Sequence, residues 1–398
     1  MVNSTPKRAI RKPPKPYHDF PLFAHSNGKW AKKIKGRLRY FGRWESPDKA
    51  LEDYKRQRDA LHAGSTPRPT PGEITIKNLC NSFLTAKRAR VESGELAQRS
   101  WADYYNTCQR VVKYFGKSQS VSDIGPKDFE HFRASLARLW GPTTLGNEIR
   151  RVRVIFNYAY KQDLIDRPVK FGEFKPPSKK TMRLERAKKG PRLFQADELR
   201  KIIDAAHIQL KGMILLGVNC GFGNTDVADL PIKAINLKTG WVNFGRPKTG
   251  IPRRCPLWPE TVAALRDALK KRSKPKDVAH KGLVFITKYG GQWNKATVEY
   301  ADTKNGKPKI KRENPVSREF GKILRNLGYH RPGLGFYSLR HIFETMAGDA
   351  KDQIAVNSVM GHVDDTMAGI YREKISDARL KAVVDHVRKW LFPNEETK

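Results

Sequence analysis

Cysteine is scarce: Cys80, Cys108, Cys220 and Cys255 are the only four in 398 residues, with no CxxC pair and no histidine at zinc-finger spacing. Neither a disulfide framework nor a structural zinc site is supported, and reduced, mostly buried thiols are expected. No run of eighteen apolar residues occurs, so no membrane-spanning helix is indicated. The opening MVNSTPKRAIRKPPKP lacks the apolar stretch of a secretory signal, and a cytoplasmic location is expected. Negative charge is also sparse, with 40 Asp and Glu against 78 Lys and Arg, a formal charge of +38.

What is present is ample apolar material, 38% of the chain, enough for two or three separate cores. A structureless basic tail is thereby ruled out. A chain with this field needs a polyanionic partner, and nucleic acid is the simplest one. Ribosome-associated and anionic-membrane proteins are equally basic, but here the positive charge recurs in every segment.

Residues 1 to 19 hold the basic-proline cluster RAIRKPPKP, which cannot form a core and reads as a flexible arm. It either tracks a groove or is a solvated leader. Residues 20–64 read as a small β-rich domain. Asn27-Gly28 signals a hairpin turn and Gly36 a second one, with Trp30, Ile34, Leu38, Tyr40, Phe41 and Trp44 interleaved by lysines and arginines. A helix from about Ser46 to His62 closes it. The proline-punctuated stretch 65–73 is a linker. Four helical patterns follow, over Ile74 to Val91, Ala97 to Phe115, Pro126 to Leu139 and Thr144 to Lys161. Their aromatic residues read as core. Residues 166–191, rich in Pro, Lys and Gly, carry no periodic signal and read as a basic linker.

From Phe194 the pattern changes to FQADELRKIIDAA, a helix start, and KGMILLGVNCGFG, a buried helix ending at glycine. TDVADL follows, then a strand from Trp241 to Phe244, a PKTG turn, and a return over Ile251 to Leu257. Four positions stand out: Lys248 in RPKTGIPRRCPL, Arg340 in YSLRHIFET, His362 in VMGHVDD and Tyr371 in TMAGIYREK. Alone, each is weak: Lys-Thr-Gly is an ordinary hairpin tip, a histidine in a Gly-His turn is often a cap, and a tyrosine on a helix is usually packing. In this order and spacing, they make the stretch from about 192 to 385 resemble the catalytic domain of the tyrosine recombinase or phage integrase family.

The resemblance implies a multidomain, mainly α fold with small β-sheets: a helical, SAM-like core-binding domain over 74–165 and a mixed α/β catalytic domain over 192–398. It also implies the chemistry, site-specific DNA cleavage and rejoining through a 3′-phosphotyrosyl intermediate, without ATP, metal or other cofactor and without a small-molecule substrate. Tyr371 would be the nucleophile, Arg340 a phosphate clamp, His362 a donor to phosphate or a manager of the tyrosine proton, and Lys248 the acid for the departing 5′-oxygen. His341 would support the fold around Arg340. Duplex DNA is the implied partner, with four protomers assembling on two synapsed duplexes. Residues 20–64 are similar in layout to the arm-type DNA-binding domains that precede the core in some integrases, which favours DNA integration or movement of a mobile element. The other reading is that the sheet merely packs on its helix.

Two positions depart from the family pattern. Gly223 stands where the first arginine is expected, while Asp226 keeps the acidic position. Loss of one clamp would cost roughly 10²–10³ in rate. Asn224 could supply a neutral hydrogen bond, and Arg246, Arg253 or Arg254 could bring a guanidinium from the Lys248 hairpin. Tyr337 replaces the usual histidine and would have a positional role, since a phenol is a poor acid near neutral pH. A recombinase-fold protein that binds DNA without cutting it is the rival reading. Farther on, Asn305-Gly306 reads as a hairpin turn in a family-variable insertion or a solvated loop. The terminal amphipathic stretch ISDARLKAVVDHVRKWLF packs either on a neighbouring subunit or within its own chain.

Overall fold

The computed structural model describes residues 12–26, 28–64, 74–299, 308–363 and 366–393, with backbone only at 295–299, 309–312 and 370. The arm up to residue 11, Asn27, the 65–73 linker and the Asn305-Gly306 turn lie outside the described residues. The chain divides into two units, one drawn from 1–89 and 104–176, the other from 90–103 and 177–398.

In the first unit, β1 (Phe23–His25), β2 (Lys29–Ile34) and β3 (Arg37–Arg43) form an antiparallel sheet in that order. Lys35 and Gly36 link β2 to β3 with φ of 46° and 77°. A two-residue hairpin loop needs positive φ at both positions to match strand twist. Helix α1 (Pro47–Ala63) starts with proline in its first turn and ends on left-handed Gly64. It buries Ala50, Tyr54 and Leu61 with Trp30, Ile34 and Phe41. Lys29, Lys33 and Arg43 are exposed on the sheet face away from α1, while Arg37 and Arg39, also exposed, share the α1 side with Ile34.

The expected helices follow as α2 (Ile76–Glu92), α3 (Gln98–Phe115), α4 (Pro126–Ala137) and α5 (Pro142–Lys161). Phe83, Phe129, Phe132 and Phe156 are fully buried in the first unit's helical core, each contributing roughly 2–3 kcal/mol by leaving water. Buried Glu148 on α5 accepts from Arg110 Nε at 2.7 Å and from the Thr107 hydroxyl at 3.1 Å. Phe171 and Phe174, from the stretch read as linker, also pack into this core.

The second unit opens with α6 (Lys179–Lys188), a helix where no periodic signal was seen. None of its residues is buried, which is why no apolar face marked it. Ser178 caps it, and Lys189 pairs with Glu185 at 3.0 Å. Helices α7 (Ala196–Asp204), α8 (Ile208–Asn219) and α9 (Asn224–Ala228) precede an antiparallel sheet of β4 (Ile235–Asn236), β5 (Trp241–Asn243) and β6 (Arg254–Pro256). β6 is shorter than the expected 251–257 return, since Pro252 has no N–H for a ladder. Helix α10 (Pro259–Lys270), not anticipated, follows. β7 (Lys295–Glu299) pairs antiparallel with β8 (Lys309–Glu313), and α11 (Pro315–Asn326), α12 (Ser338–Gly348), α13 (Gln353–Met360), α14 (Met367–Ile370) and α15 (Asp377–Leu391) complete the unit.

The core forms around α8, against which α7, α10, α12 and α15 pack. Buried Asn219 at its end donates to Pro256 O at 3.0 Å and accepts from Trp258 N at 2.9 Å, tying α8 to the sheet. In α15, Leu380, Val383, Val384, Val387 and Leu391 are buried in this same core. The terminal amphipathic stretch therefore packs within its own chain.

Candidate active site

The β5–β6 connection sets the first element. Arg246 N donates to Ile251 O at 2.8 Å, and Arg246 O accepts from Thr249 N at 3.1 Å and Gly250 N at 2.8 Å. This tight turn holds Lys248 exposed at its tip.

Arg340, in the first turn of α12, is only 4% exposed. Its Nη1 donates to Gly221 O at 2.7 Å, and its Nη2 donates to Met360 O at 2.7 Å and lies 3.0 Å from His362 Nε2. An arginine cannot accept, so Nε2 is the acceptor and His362 carries its proton on Nδ1. That nitrogen is 3.4 Å from Asn357 Oδ1 and 3.9 Å from Glu344 Oε2. Burial, then the Arg340 charge, lowers the His362 pKa, with Glu344 opposing and Arg246 adding to the shift. The imidazole is thus neutral near pH 7. Burial, then Arg246, likewise lowers the Arg340 pKa, though an arginine starts so high that it stays charged.

Gly361 makes this arrangement fit. It ends α13 with φ of +64°, and a Cβ there would fall 2.7 Å from Arg253 Cδ and 3.2 Å from Arg246 Cβ. Its carbonyl accepts from Arg246 Nη1 at 3.3 Å.

The two departures from the family pattern touch each other. A Cβ at Gly223 would lie 3.3 Å from Tyr337 Cε2, and the Tyr337 ring stands edge-on to His341 with centroids 5.5 Å apart. Burial, then Arg192, Arg186 and Arg340, lowers the His341 pKa. Asp226 braces this corner, accepting from Gly223 N at 2.7 Å through Oδ2 and from Arg253 Nη2 at 2.9 Å through Oδ1. Arg253 is buried, 4.4 Å over the Phe222 ring. Arg254 turns instead to Asp377 at 2.9 Å, over the Trp241 ring. The Asn224 amide is spent on Ser317 Oγ at 2.9 Å, which leaves its expected phosphate bond without support.

Tyr371 follows α14, which Thr366 caps by accepting from Gly369 N at 3.1 Å. The ring is 76% exposed, and its hydroxyl has no hydrogen-bond partner among the described residues. Asp364 and Asp365, between His362 and Tyr371, lie outside those residues. Arg340, His362, Arg246 and Gly361 are thus joined by contact, whereas Lys248 and Tyr371 are exposed and make no side-chain hydrogen bond among the described residues. Sequence reasoning missed Asn357 and Glu344, whose relation to His362 arises only where α12 and α13 meet. Among the described residues no group of three or more His, Cys, Asp or Glu side chains could hold a metal ion.

Residues 192–377 match the phage integrase family. No curated protein matches the chain. Among solved structures, a lambda integrase tetramer bound to a Holliday junction is similar at 16% identity and TM-score 0.54, covering 91% of this chain and 98% of its own. A lambda integrase dimer bound to a COC′ core site is similar at 15% identity and TM-score 0.51, with 90% and 97% covered. The Tn1549 transposon integrase in complex with circular intermediate DNA is similar at 13% identity and TM-score 0.53, with 78% and 98% covered. Those likenesses establish a shared fold, and the family match, which spans Lys248, Arg340, His362 and Tyr371, identifies residues 192–377 of this chain as a phage integrase family domain, that of the tyrosine recombinases.

Proposed function

We propose that this protein cuts and rejoins duplex DNA at specific sites through a covalent bond to Tyr371. The observation that carries the reading is the Arg340–His362 pair on the 360–362 turn, in an integrase domain whose Tyr371 ring is exposed, with no hydroxyl partner among the described residues. The phenol oxygen attacks phosphorus, forming a Tyr–O–P bond as the P–O5′ bond breaks. Neutral His362 takes the phenol's proton on Nε2 once Arg340 shifts that hydrogen bond to the phosphate, and Lys248 protonates the departing 5′-oxygen. Before that shift Arg340, with five N–H groups of which three are held by Gly221, Met360 and His362, has two left for non-bridging oxygens. A 5′-hydroxyl of a partner strand then reverses the step, so the bond energy is conserved and no nucleotide is consumed.

Around this centre we assign residues 20–64 to arm-type DNA binding, 74–165 to a core-binding clamp and 192–398 to catalysis. Four protomers assemble on two synapsed duplexes in the cytoplasm, the arrangement suited to a mobile element. Among the described residues no helix is long and apolar enough to cross a membrane.

The test is covalent capture. Nicked suicide duplexes drawn from the genome that carries the gene are incubated with the protein, denatured, and sequenced from the protein-linked fraction. Wild type should retain DNA of a common sequence, and Tyr371→Phe should retain none while binding DNA equally. An adduct surviving in the phenylalanine variant would place the nucleophile elsewhere; no adduct from wild type would leave a DNA binder that does not cut.

A further inference from the structure

We propose that Arg246 supplies the second phosphate-clamping guanidinium of this site, in place of the arginine that position 223 lacks. The inference rests on the recombinase reading and adds a catalytic residue to it.

The space at position 223 is not waiting for a side chain. Gly223 is buried, and the Tyr337 ring and Asp226 Oδ2 would both lie 3.3 Å from a Cβ there. The Tyr337 ring therefore packs directly against Gly223. A replacement cation must come from another element, and the Lys248 hairpin carries three arginines.

Their partners separate them. Arg253 is neutralised by Asp226 at 2.9 Å and is only 4% exposed; Arg254 is neutralised by Asp377 at 2.9 Å. Arg246 is half-buried and, among the described residues, has no carboxylate partner, its one side-chain hydrogen bond going to Gly361 O at 3.3 Å. Arg340 bonds the preceding carbonyl, that of Met360, at 2.7 Å, and His362, next in the chain, at 3.0 Å. Two guanidiniums thus hang on successive carbonyls of one turn. The repulsion is visible in the lowered pKa of Arg340, where Arg246 is the largest charge contribution after burial. An anion held between two like charges relieves that cost, and a planar fork suits a phosphate's paired oxygens. Arg246 also closes the turn that presents Lys248, through its bonds to Thr249 N and Gly250 N. Clamp and acid would therefore reach the phosphate on one rigid loop.

The experiment uses the full-length protein and a duplex captured by the wild type, carrying at the scissile position either a phosphodiester or a neutral methylphosphonate. Arg246→Ala should slow adduct formation on the phosphodiester by about 10²–10³ and Arg246→Lys by less, with melting temperatures near wild type. On the methylphosphonate, which has no charge to clamp, the Ala variant should come to within about tenfold of the wild-type rate, an expectation of the same electrostatic account. An alanine variant as fast as wild type on the phosphodiester would overturn the proposal while leaving the recombinase reading intact. So would a deficit of equal size on both substrates, since that marks a structural role. If wild type forms no adduct with any duplex, the recombinase reading fails first and this inference with it.

Discussion

Replacing Gly361 by alanine perturbs the turn on which both guanidiniums hang, and its cost can be worked from two separate terms. At φ of +64° an L-residue is left-handed, worth roughly 1–2 kcal/mol. The added methyl would also sit 2.7 Å from Arg253 Cδ and 2.9 Å from its Cγ. That stem is pinned by bonds from Nε to Phe244 O at 3.0 Å and from Nη2 to Asp226 at 2.9 Å, so it cannot swing aside cheaply. Overpacking of this kind costs roughly 1–3 kcal/mol. Gly328, with φ of +72° and nothing within 4 Å of a Cβ, is the matched control that carries the backbone term alone. Gly328→Ala should therefore lose roughly 1–2 kcal/mol and Gly361→Ala roughly 2–5 kcal/mol. In a unit of this size that separates the melting temperatures by about 2–12 °C, at some 2–4 °C per kcal/mol. Urea unfolding gives the energies, and covalent capture of nicked DNA gives the consequence for the site. Only Gly361→Ala should slow cleavage, because it displaces the carbonyls that hold Arg246 and Arg340. Equal destabilisation by the two variants, with cleavage untouched in both, would show that the turn is not packed against Arg253 as described.

Two further outcomes follow from the same structure. The folded His362 pKa lies below its ordinary 6.5, so the unfolded chain takes up a proton first as pH falls. Stability from this group is full above about 6.5 and is lost as pH falls through the lower folded value; urea midpoints measured across pH 5 to 8 should fall in acid, and His362→Gln should flatten that limb. On the face of the small sheet away from α1, Lys29, Lys33 and Arg43 are exposed. Replacing all three by alanine should reduce the slope of log affinity for duplex DNA against log salt by about 2.7, at 0.9 per phosphate contact; an unchanged slope would assign that face to solvent.

Much of the architecture was legible because local rules dominate where one face is buried. The hairpin over 23–43 shows alternating large apolar and basic residues with glycine at its turns, and helices α1 to α5 begin within about two residues of their expected starts. Helix α6 escaped because it buries nothing, so its sequence carries propensity and a Ser178 cap but no stripe. Phe171 and Phe174 read as linker because two phenylalanines set among Lys, Gly and Pro show no period, yet both fill the helical core of the first unit.

The site divides along the same line. Residue types and their spacing by themselves pointed to the proposed chemistry: Lys248, Arg340, His362 and Tyr371 fall in the order the family uses, and that order is a property of the chain. Which arginines of the hairpin meet a carboxylate and which meets only a carbonyl among the described residues, that Asn224 faces Ser317, and that Tyr337 covers Gly223 were decided only in three dimensions. The physical reason is that each depends on acceptors 27 to 123 residues away in sequence, brought close by packing around α8, and no local pattern encodes a partner at that range.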